Sequence, residues 1–275
     1  MVYLKKENEV NAIREGGKRI SLILNKIAKA SKPGVSSLEL ERIAEDEIAL
    51  AGGLPAFKNY SMGGGIFFPS ALCLSINEEV VHGATIPERF LQEGDIVDLD
   101  IGMEWPVRAD LRKQYNLPIN SHSKNGGFFT DTCVTVPVGK VKKDLLKLMR
   151  ITKECLYLGI KEARSGNRLN DIARVIENLA EKHNYGVVRD LVGHGVGYFA
   201  HEEPDVVNFT IPNNSSENIV LKEGMVIAIE PMINLGTYEV DVAKNNYTII
   251  TADALPSAHY EHTVYIGKDG PEILT

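Results

Sequence analysis

Two aspartates lie in a segment whose alternation is typical of a β-strand. Asp98 and Asp100 alternate with the apolar residues Val97, Leu99 and Ile101. Because successive side chains of a strand point to opposite faces, the two carboxylates share one face and the apolar residues share the other. A carboxylate pair of this kind suits a divalent cation. An amphipathic strand with a solvated acidic face explains the pattern equally well, so both interpretations stay open at this point.

Two further acidic residues lie in strand-like surroundings. Asp131 shares a predicted strand face with Cys133 and Thr135, and an ordinary polar face is again the alternative. Glu230 lies in the run 225–233, which is apolar on both faces and contains no lysine or arginine. An unpaired buried charge is strongly destabilising. Glu230 therefore needs a positive partner, which is either a metal ion or a distant arginine.

Three histidines stand in short motifs. His194 lies between Gly193 and Gly195, and glycines permit the close backbone approach that fixes an imidazole in place. His201 begins a His-Glu-Glu-Pro motif, which lacks the His-Glu-x-x-His order of helical zinc proteases. His82 ends an apolar segment. Each motif alone is equally typical of an ordinary turn or of a structural histidine.

As a group, the candidates have the chemistry of a dinuclear metal centre. Four negative charges would balance two divalent cations, and oxygen-rich ligation with one nitrogen suits Mn, Fe, Co or Zn. Two adjacent ions can activate water and polarise a carbonyl at the same time. The candidate ligands are Asp100, Asp131, His194, Glu230 and Glu261, the last from a segment (258–264) rich in ligand-type residues.

The composition is that of a globular protein. The chain has 275 residues, of which 44% are hydrophobic and 24% charged. A net charge of −7 without a basic tract argues against nucleic-acid binding. The sequence contains neither a run of about 20 apolar residues for a membrane span nor the apolar stretch of a signal peptide. Three widely spaced cysteines argue against a disulfide framework, so we expect a reduced, cytoplasmic protein without a membrane partner.

Helices and strands are predicted in an order that repeats. Gly34 precedes Leu38 and a helix, and Gly166 precedes Leu169 and a helix about half the chain further on. Two helices followed by strands, twice over, predict one α+β unit with a sheet shared by two similar halves and a site between them. The predicted helices cover 6–31, a segment that is capped by Ser36 or Ser37 and runs to about residue 50, 142–164 and 169–183. The predicted strands cover 71–76, 95–101, 128–136, 186–192, 225–230, 246–250 and 259–266.

Five short motifs follow one another in a specific order. They are Val97-Asp98-Leu99-Asp100, Thr130-Asp131-Thr132, Gly193-His194-Gly195-Val196-Gly197 with His201-Glu202-Glu203-Pro204, Ile229-Glu230-Pro231-Met232, and Tyr260-Glu261-His262-Thr263. Together they resemble the motifs of the methionine aminopeptidases, which are pita-bread metallopeptidases. The resemblance covers nearly the whole chain. It implies an α+β pita-bread fold, in which two pseudo-symmetric helix-helix-strand halves share a curved antiparallel sheet with the site between them. It also implies one catalytic domain over 1–275, with half-repeats of about 1–140 and 141–275.

The resemblance implies a ligand set for two divalent cations per chain. Asp100, Asp131 and Glu261 are similar to the ligands of the first metal. The second metal is expected to bind Asp131, Glu261, His194 and Glu230, so that Asp131 and Glu261 bridge both ions. Co, Mn, Fe and Zn all suit such ligands, and the physiological metal stays open.

The reaction implied by the resemblance is removal of the initiator methionine from nascent proteins whose second residue is small. A metal-bridging hydroxide would attack the first peptide bond, with Glu230 as proton shuttle. His82 and His201 resemble the two substrate-contacting histidines, which stabilise the tetrahedral intermediate and orient the scissile amide. The implied partners are the N-terminal segments of nascent chains. Docking on the ribosome stays open, and nothing in the sequence demands more than a monomer.

Segment lengths indicate the type I subgroup without an N-terminal extension. Residues 1–81 precede His82, which leaves no room for the additional N-terminal domain of prolidases and aminopeptidases P. Residues 202–229 are too few for the helical subdomain that type II enzymes insert between His201 and Glu230.

The methionine pocket departs from the family pattern at one position. Ala200 precedes His201, where similar type I enzymes often place a phenylalanine, so we expect a pocket of altered shape. Cys73, Phe68 and Tyr247 still match pocket positions. Two alternatives therefore stay open: a pita-bread exopeptidase with another first-residue preference, and a pita-bread binding protein that has lost its metals. Retention of the full ligand set argues against the second.

A second departure is an insertion at about residues 102–127, between the strands of Asp100 and Asp131. A connection of this length is typical of a lid, a binding loop or a disordered segment. We expect an ordered hairpin tip at the surface that modulates access or partner contacts and supplies no catalytic group. His122 within it, and His183 elsewhere, are interpreted as surface residues. The residues expected to anchor the insertion are Trp105, Val107, Leu111, Tyr115, Leu117 and Ile119.

Overall fold

The helices form two pairs, with one short helix between the pairs. In the computed structural model, which describes residues 1–275, they are α1 Glu7–Ala30, α2 Ser37–Ala51, α3 Ala109–Gln114, α4 Lys143–Glu162 and α5 Leu169–Lys182. The four long helices confirm the predicted ones, whereas α3 was not predicted. No helix is both long enough and apolar enough to cross a membrane.

The two ends of α2 show how local sequence fixes this element. Ser36 is the N-cap, because its hydroxyl accepts a hydrogen bond from the backbone N–H of Glu39 at 3.2 Å. Ser37 instead donates its hydroxyl to the carbonyl of Thr85 at 2.6 Å. The helix ends at Gly52, whose φ of 79° lies in the left-handed region that glycine adopts without strain. Of the two predicted caps, Ser36 is therefore the one used.

The strands form one large sheet and three small ones. In chain order they are β1 Leu54–Pro55, β2 Ser61–Gly63, β3 Ile66–Phe67, β4 Leu72–Ile76, β5 Glu79–Val81, β6 Ile96–Trp105, β7 Phe128–Pro137, β8 Gly186–Val187, β9 Gly193–Gly195, β10 Glu202–Val206, β11 Val226–Ile229, β12 Met232–Asn234, β13 Val240–Val242, β14 Ile249–Thr251, β15 Ser257–His259, β16 Glu261–Gly267 and β17 Gly270–Ile273. All of the strand pairs are antiparallel.

The large sheet joins strands from both parts of the chain. It has nine strands in the order β1-β6-β7-β16-β11-β9-β10, with β4 paired to β6 and β17 paired to β16. At the β7–β16 junction, Glu261 lies opposite Cys133 and His262 lies opposite Thr132. This junction places the Asp131 strand beside the Glu261 strand. The helix pairs and the shared antiparallel sheet confirm the predicted α+β class.

Four strand predictions differ from the structure. The segment 246–250 is a strand only from Ile249, because residues 243–248 form a turn in which Asn246 has a φ of 66°. The segment 186–192 is a strand only at Gly186–Val187, because the residues after it leave the small sheet and reach the cavity described below. The strand predicted at 95–101 continues to Trp105, since it pairs with β7 along its whole length. The segment 259–266 is divided at Tyr260, because β15 pairs with β12 whereas β16 pairs with β7 and β11.

The apolar side chains of the site-bearing strands are held in two large core clusters. Leu99 and Ile101 of β6 pack with residues of α1 and α2, and all of the cluster's 16 core residues are buried. Ile227 of β11 and Val264 of β16 pack in a cluster of 27 buried residues with α4 and α5. Since side chains alternate along a strand, fixing Leu99 in this core directs Asp100 to the opposite side.

The insertion connects β6 to β7 as the expected hairpin tip, although its first residues, 102–105, belong to β6. The connection 106–127 contains α3. Trp105 is fully buried, and its indole N–H donates to the carbonyl of Ala51 at 2.9 Å. The ring of Tyr115 packs edge-on against Trp105 at 5.8 Å. Ile119 does not anchor the insertion as predicted, because it is 69% exposed.

Candidate metal centre

All five predicted ligands reach one cavity from different strands of the large sheet. Asp100 lies in β6, Asp131 in β7, His194 in β9 and Glu261 in β16, and Glu230 directly follows β11. The cavity has a volume of about 550 Å³ and is also lined by both predicted substrate histidines. The large sheet therefore brings residues separated by more than half the chain to one place.

Four of the ligand side chains lie within a few ångströms of one another. The donor atoms of Asp131, His194 and Glu261 are all within 4.8 Å of each other. The Nε2 atom of His194 lies 4.0 Å from Oδ2 of Asp131 and 3.4 Å from Oε1 of Glu230. Asp100 is on the strand next to Asp131, opposite Cys133. The ligand oxygens and the imidazole thus converge from several sides on one point.

The carboxylates of this cluster have no cationic side chain to balance their negative charge. No lysine or arginine lines the cavity, and Oδ1 of Asp100 and Oε1 of Glu261 are buried without a hydrogen-bond partner. Burial, reinforced by the neighbouring carboxylates, raises the pKa of Asp100, Glu230 and Glu261 well above the ordinary range. Burial also raises the pKa of Asp131 to about 7. The donor set fits divalent cations, which would favour the ionised carboxylates.

The glycines beside His194 leave room for neighbouring backbone. A Cβ atom on Gly193 would lie 2.4 Å from the carbonyl oxygen of Ala228, and one on Gly195 would lie 2.4 Å from that of Glu203. Nδ1 of His194 pairs with the Gly195 carbonyl at 2.9 Å and therefore carries the proton. The lone pair of Nε2 then points toward the carboxylates. Burial lowers the pKa of His194 to about 4, which favours the neutral, ligating form.

The two predicted substrate histidines lie at the wall of the cavity beside the carboxylates. His82 has a φ of 59°, a left-handed conformation that is uncommon for a residue other than glycine. Its carbonyl accepts a hydrogen bond from the Thr248 hydroxyl at 2.9 Å, and burial lowers the pKa of its imidazole. The ring of His201 is centred 4.2 Å from that of His194 and 4.9 Å from that of Tyr60.

The predicted methionine-pocket residues form an apolar cluster beside the metal ligands. Phe68 and Cys73 are buried together and line the cavity, and Tyr247 packs edge-on against Phe68 at 5.8 Å. Ala200 is buried and does not line the cavity. The ring of Tyr60 is the aromatic group that packs on His201. Sequence reasoning missed the cavity-lining residues Phe57, Tyr60 and Met62.

Two residues near the centre were misjudged or overlooked. Asp98 does not face solvent as an acidic strand face would, because it is 3% exposed and accepts hydrogen bonds from the Thr135 hydroxyl and the backbone N–H of His259. It also does not line the cavity. His259 was overlooked, although its Nε2 lies 3.6 Å from Oε2 of Glu230. The ligand-rich segment around Glu261 was the only signal for it.

The chain is similar to known peptidases over its whole length. The model of metallopeptidase family M24 matches residues 11–112 and 106–268. A methionine aminopeptidase of Clostridium acetobutylicum is 41% identical over 275 residues, covering 100% of this chain and 99% of that protein. The crystal structure of a methionine aminopeptidase from Thermotoga maritima superposes with a TM-score of 0.87 at 33% identity, covering 100% of this chain and 99% of the other. A prolidase from Pyrococcus horikoshii shares the fold alone, at 19% identity and a TM-score of 0.71, and this chain covers 63% of it.

The stability of the metal-free protein is expected to fall as the pH rises through neutrality. Burial raises the pKa of Asp131 from 3.8 to about 7, so the folded protein binds more protons than the unfolded chain between these values. The free energy of unfolding therefore decreases with rising pH across this window, by at most about 4 kcal/mol from this group. Thermal unfolding in the presence of EDTA, measured from pH 4 to 8, gives this dependence.

Added Mn²⁺ or Co²⁺ should raise the melting temperature, and the increase should grow with pH because the ions bind the ionised carboxylates. Asp131→Asn is the control, since it removes one of the titrating carboxyls and should reduce the slope of the metal-free protein. A melting temperature of the metal-free protein that rises from pH 5 to 7, in parallel with that of Asp131→Asn, would contradict this account.

Proposed function

This chain belongs to metallopeptidase family M24, and we propose that it is a metal-dependent methionine aminopeptidase acting on nascent proteins whose second residue is small. One observation carries the proposal. Four carboxylates and an imidazole converge in a cavity without lysine or arginine, directly beside a buried cluster that contains Phe68 and Cys73. This arrangement supports a metal-binding centre next to an apolar pocket of the kind that a methionine side chain would fill.

We propose that two divalent cations are held by the five converging side chains. Asp131 and Glu261 would contact both ions, Asp100 one of them, and His194 and Glu230 the other. The buried, unpartnered oxygens of Asp100 and Glu261 support this assignment. When bound, such ions supply an activated water and polarise the carbonyl of the scissile peptide bond. Mn, Fe, Co and Zn are the candidate metals.

The protein's own groups bind the peptide and move the proton. Glu230 accepts a proton from the attacking water and delivers it to the leaving amine, because its carboxylate lies in the cavity among the ligands. His82, kept neutral by its lowered pKa, donates or accepts a hydrogen bond to the substrate amide. His201 contacts the same peptide from the neighbouring wall. Both histidines thereby stabilise the tetrahedral intermediate.

The apolar cluster beside the ligands accounts for recognition of methionine. Phe57 and Phe68 line the cavity, and Tyr247 packs against Phe68 without lining it. This aromatic wall suits an unbranched thioether, which packs favourably against aromatic edges. Other exopeptidases of this fold are the alternative. Full-length similarity to methionine aminopeptidases favours the methionine assignment. Within this proposal the enzyme is a cytoplasmic monomer whose partners are N-terminal segments of nascent chains, and docking on the ribosome is a separate question.

A peptide panel tests the proposed specificity. The metal-loaded protein is expected to release methionine from Met-Ala-Ser at least about 100-fold faster than it releases leucine from Leu-Ala-Ser, because the pocket is shaped for an unbranched side chain. Met-Leu-Ser should be cleaved much more slowly than Met-Ala-Ser. The kcat/KM values for free amino acid release are the measurement.

Two aspartate variants on neighbouring strands form a matched pair for this assay. Asp131→Asn should abolish turnover, since a bridging carboxylate has no neutral equivalent. Asp98→Asn should keep most of it, because its amide oxygen can still accept from Thr135 and His259. Equal losses in the two variants, or equal rates on methionyl and leucyl peptides, would show that the ligand or the substrate is wrongly assigned.

His82→Ala separates catalysis from metal binding. We expect kcat to fall by about 10²- to 10³-fold, because a hydrogen bond made mainly in the transition state is lost. Metal content, measured by elemental analysis after desalting, should equal that of the unaltered protein. Loss of bound metal in this variant would instead identify His82 as a ligand.

A further inference from the structure

The N-terminal segment makes a buried ion pair beside the catalytic cavity. Nζ of Lys5 contacts the Glu202 carboxylate, and the side chains are only 1% and 0% exposed. Among the lysine and arginine ion pairs of the chain, only this one is buried on both sides. The backbone N–H of Lys5 also donates to the carbonyl of Gly224 at 2.7 Å, which fixes its position.

Glu202 connects this ion pair to the turn that carries His201. Its other oxygen accepts hydrogen bonds from the backbone N–H groups of Tyr198 and Phe199, the second at 3.0 Å. Glu202 follows His201 directly and lines the same cavity. The Glu202 carboxylate therefore stabilises the turn 198–202 through these two hydrogen bonds, and Lys5 neutralises its charge.

The outer side of the same turn is held by the insertion. The Asn120 side-chain amide donates to the carbonyl of Tyr198 at 2.9 Å, and the ring of His122 stacks on that of Tyr198 at 4.7 Å. The hydroxyl of Tyr198 donates to Glu9 at 2.8 Å. Nζ of Lys5 lies 5.0 Å from the centre of the Tyr198 ring. The turn before His201 thus lies between the N-terminal segment and the insertion, and no insertion residue lines the cavity.

Without Lys5, the structure would contain a buried carboxylate with no cation. Such a group is strongly destabilised, and it lowers this cost by turning toward solvent or toward the cations of the site. Either movement breaks the hydrogen bonds to Tyr198 and Phe199 and releases the turn. His201 would then lose its place at the cavity wall. The order of the turn would then depend on a residue that does not line the cavity.

We propose that Lys5 is a positioning residue for peptide hydrolysis, acting through Glu202 on the turn that presents His201, with Asn120 of the insertion supporting the same turn from outside. The inference rests on the proposed function for its effect on turnover. Its structural part, the order of the turn, does not depend on that function.

Lys5→Met is the first variant, because methionine keeps the length of the side chain and removes its charge. We expect kcat for Met-Ala-Ser to fall about 10- to 100-fold, as is typical when a catalytic group is slightly misplaced, with bound metal unchanged. Hydrogen exchange of the Tyr198 and Phe199 amides should accelerate at least 10-fold. Lys29→Met, an exposed lysine of α1, is the matched control and should change neither quantity.

A double-mutant cycle separates positioning from general stability. In a His201→Ala background, Lys5→Met should reduce kcat by less than about twofold further, because the group that it positions is absent. The pair Lys5→Met with Glu202→Gln should recover most of the lost activity and amide protection. The glutamine oxygen still accepts from both N–H groups, and no unpaired charge is buried. This pair also serves if Lys5→Met alone does not fold.

The outcomes keep the two proposals apart. If the unaltered protein releases no methionine, the proposed function fails, and amide exchange still decides whether Lys5 orders the turn. Unchanged exchange at Tyr198 and Phe199 in Lys5→Met would overturn the inference. Additive losses with His201→Ala, or no recovery with Glu202→Gln, would do so as well.

Discussion

The concentration of negative charge in one buried cavity is the constraint on which the rest of the structure depends. Four carboxylates converge there without lysine or arginine among the lining residues, and two of their oxygens are buried without a partner. A chain would not hold these groups together for stability alone, because each buried charge opposes folding. Bound divalent cations would offset this cost, so in the proposed function they would stabilise the fold as well as supply the chemistry.

The large sheet holds the carboxylates in place because the apolar side chains of the same strands are buried in the core. Leu99 and Ile101 are fixed in the core on one side of β6, and Ile227 fixes β11. The β7–β16 pairing then sets Asp131 and Glu261 side by side. The two histidine-bearing turns around this centre are positioned in different ways. The backbone at His82 is left-handed, and the Glu202 carboxylate accepts backbone hydrogen bonds in the turn that precedes His201. In the proposed function, the rigid sheet would bind the cations, whereas the turns would contact the peptide.

The sequence alone predicted the convergence of the five candidate ligands better than it predicted their surroundings. Glu230 stood out because a charge in an apolar run requires a partner, and its strand is indeed buried. Asp98 and Asp100 looked equivalent by alternation, yet of the two only Asp100 lines the cavity. Asp98 instead accepts a hydrogen bond from the backbone N–H of His259, which lies in a strand far along the chain. Tyr60 and the Lys5–Glu202 pair were missed for the same reason. Their roles arise from contacts between distant segments, which local patterns do not encode.

The converging carboxylates are proposed to hold two divalent cations, and crystallography tests this binding most directly. Crystals of the protein grown with Co²⁺ should show two anomalous-scattering peaks in the cavity, both in contact with Asp131 and Glu261. One peak should also contact Asp100, and the other His194 and Glu230. An empty cavity at saturating cobalt, or peaks that avoid Asp131 and Glu261, would contradict the account.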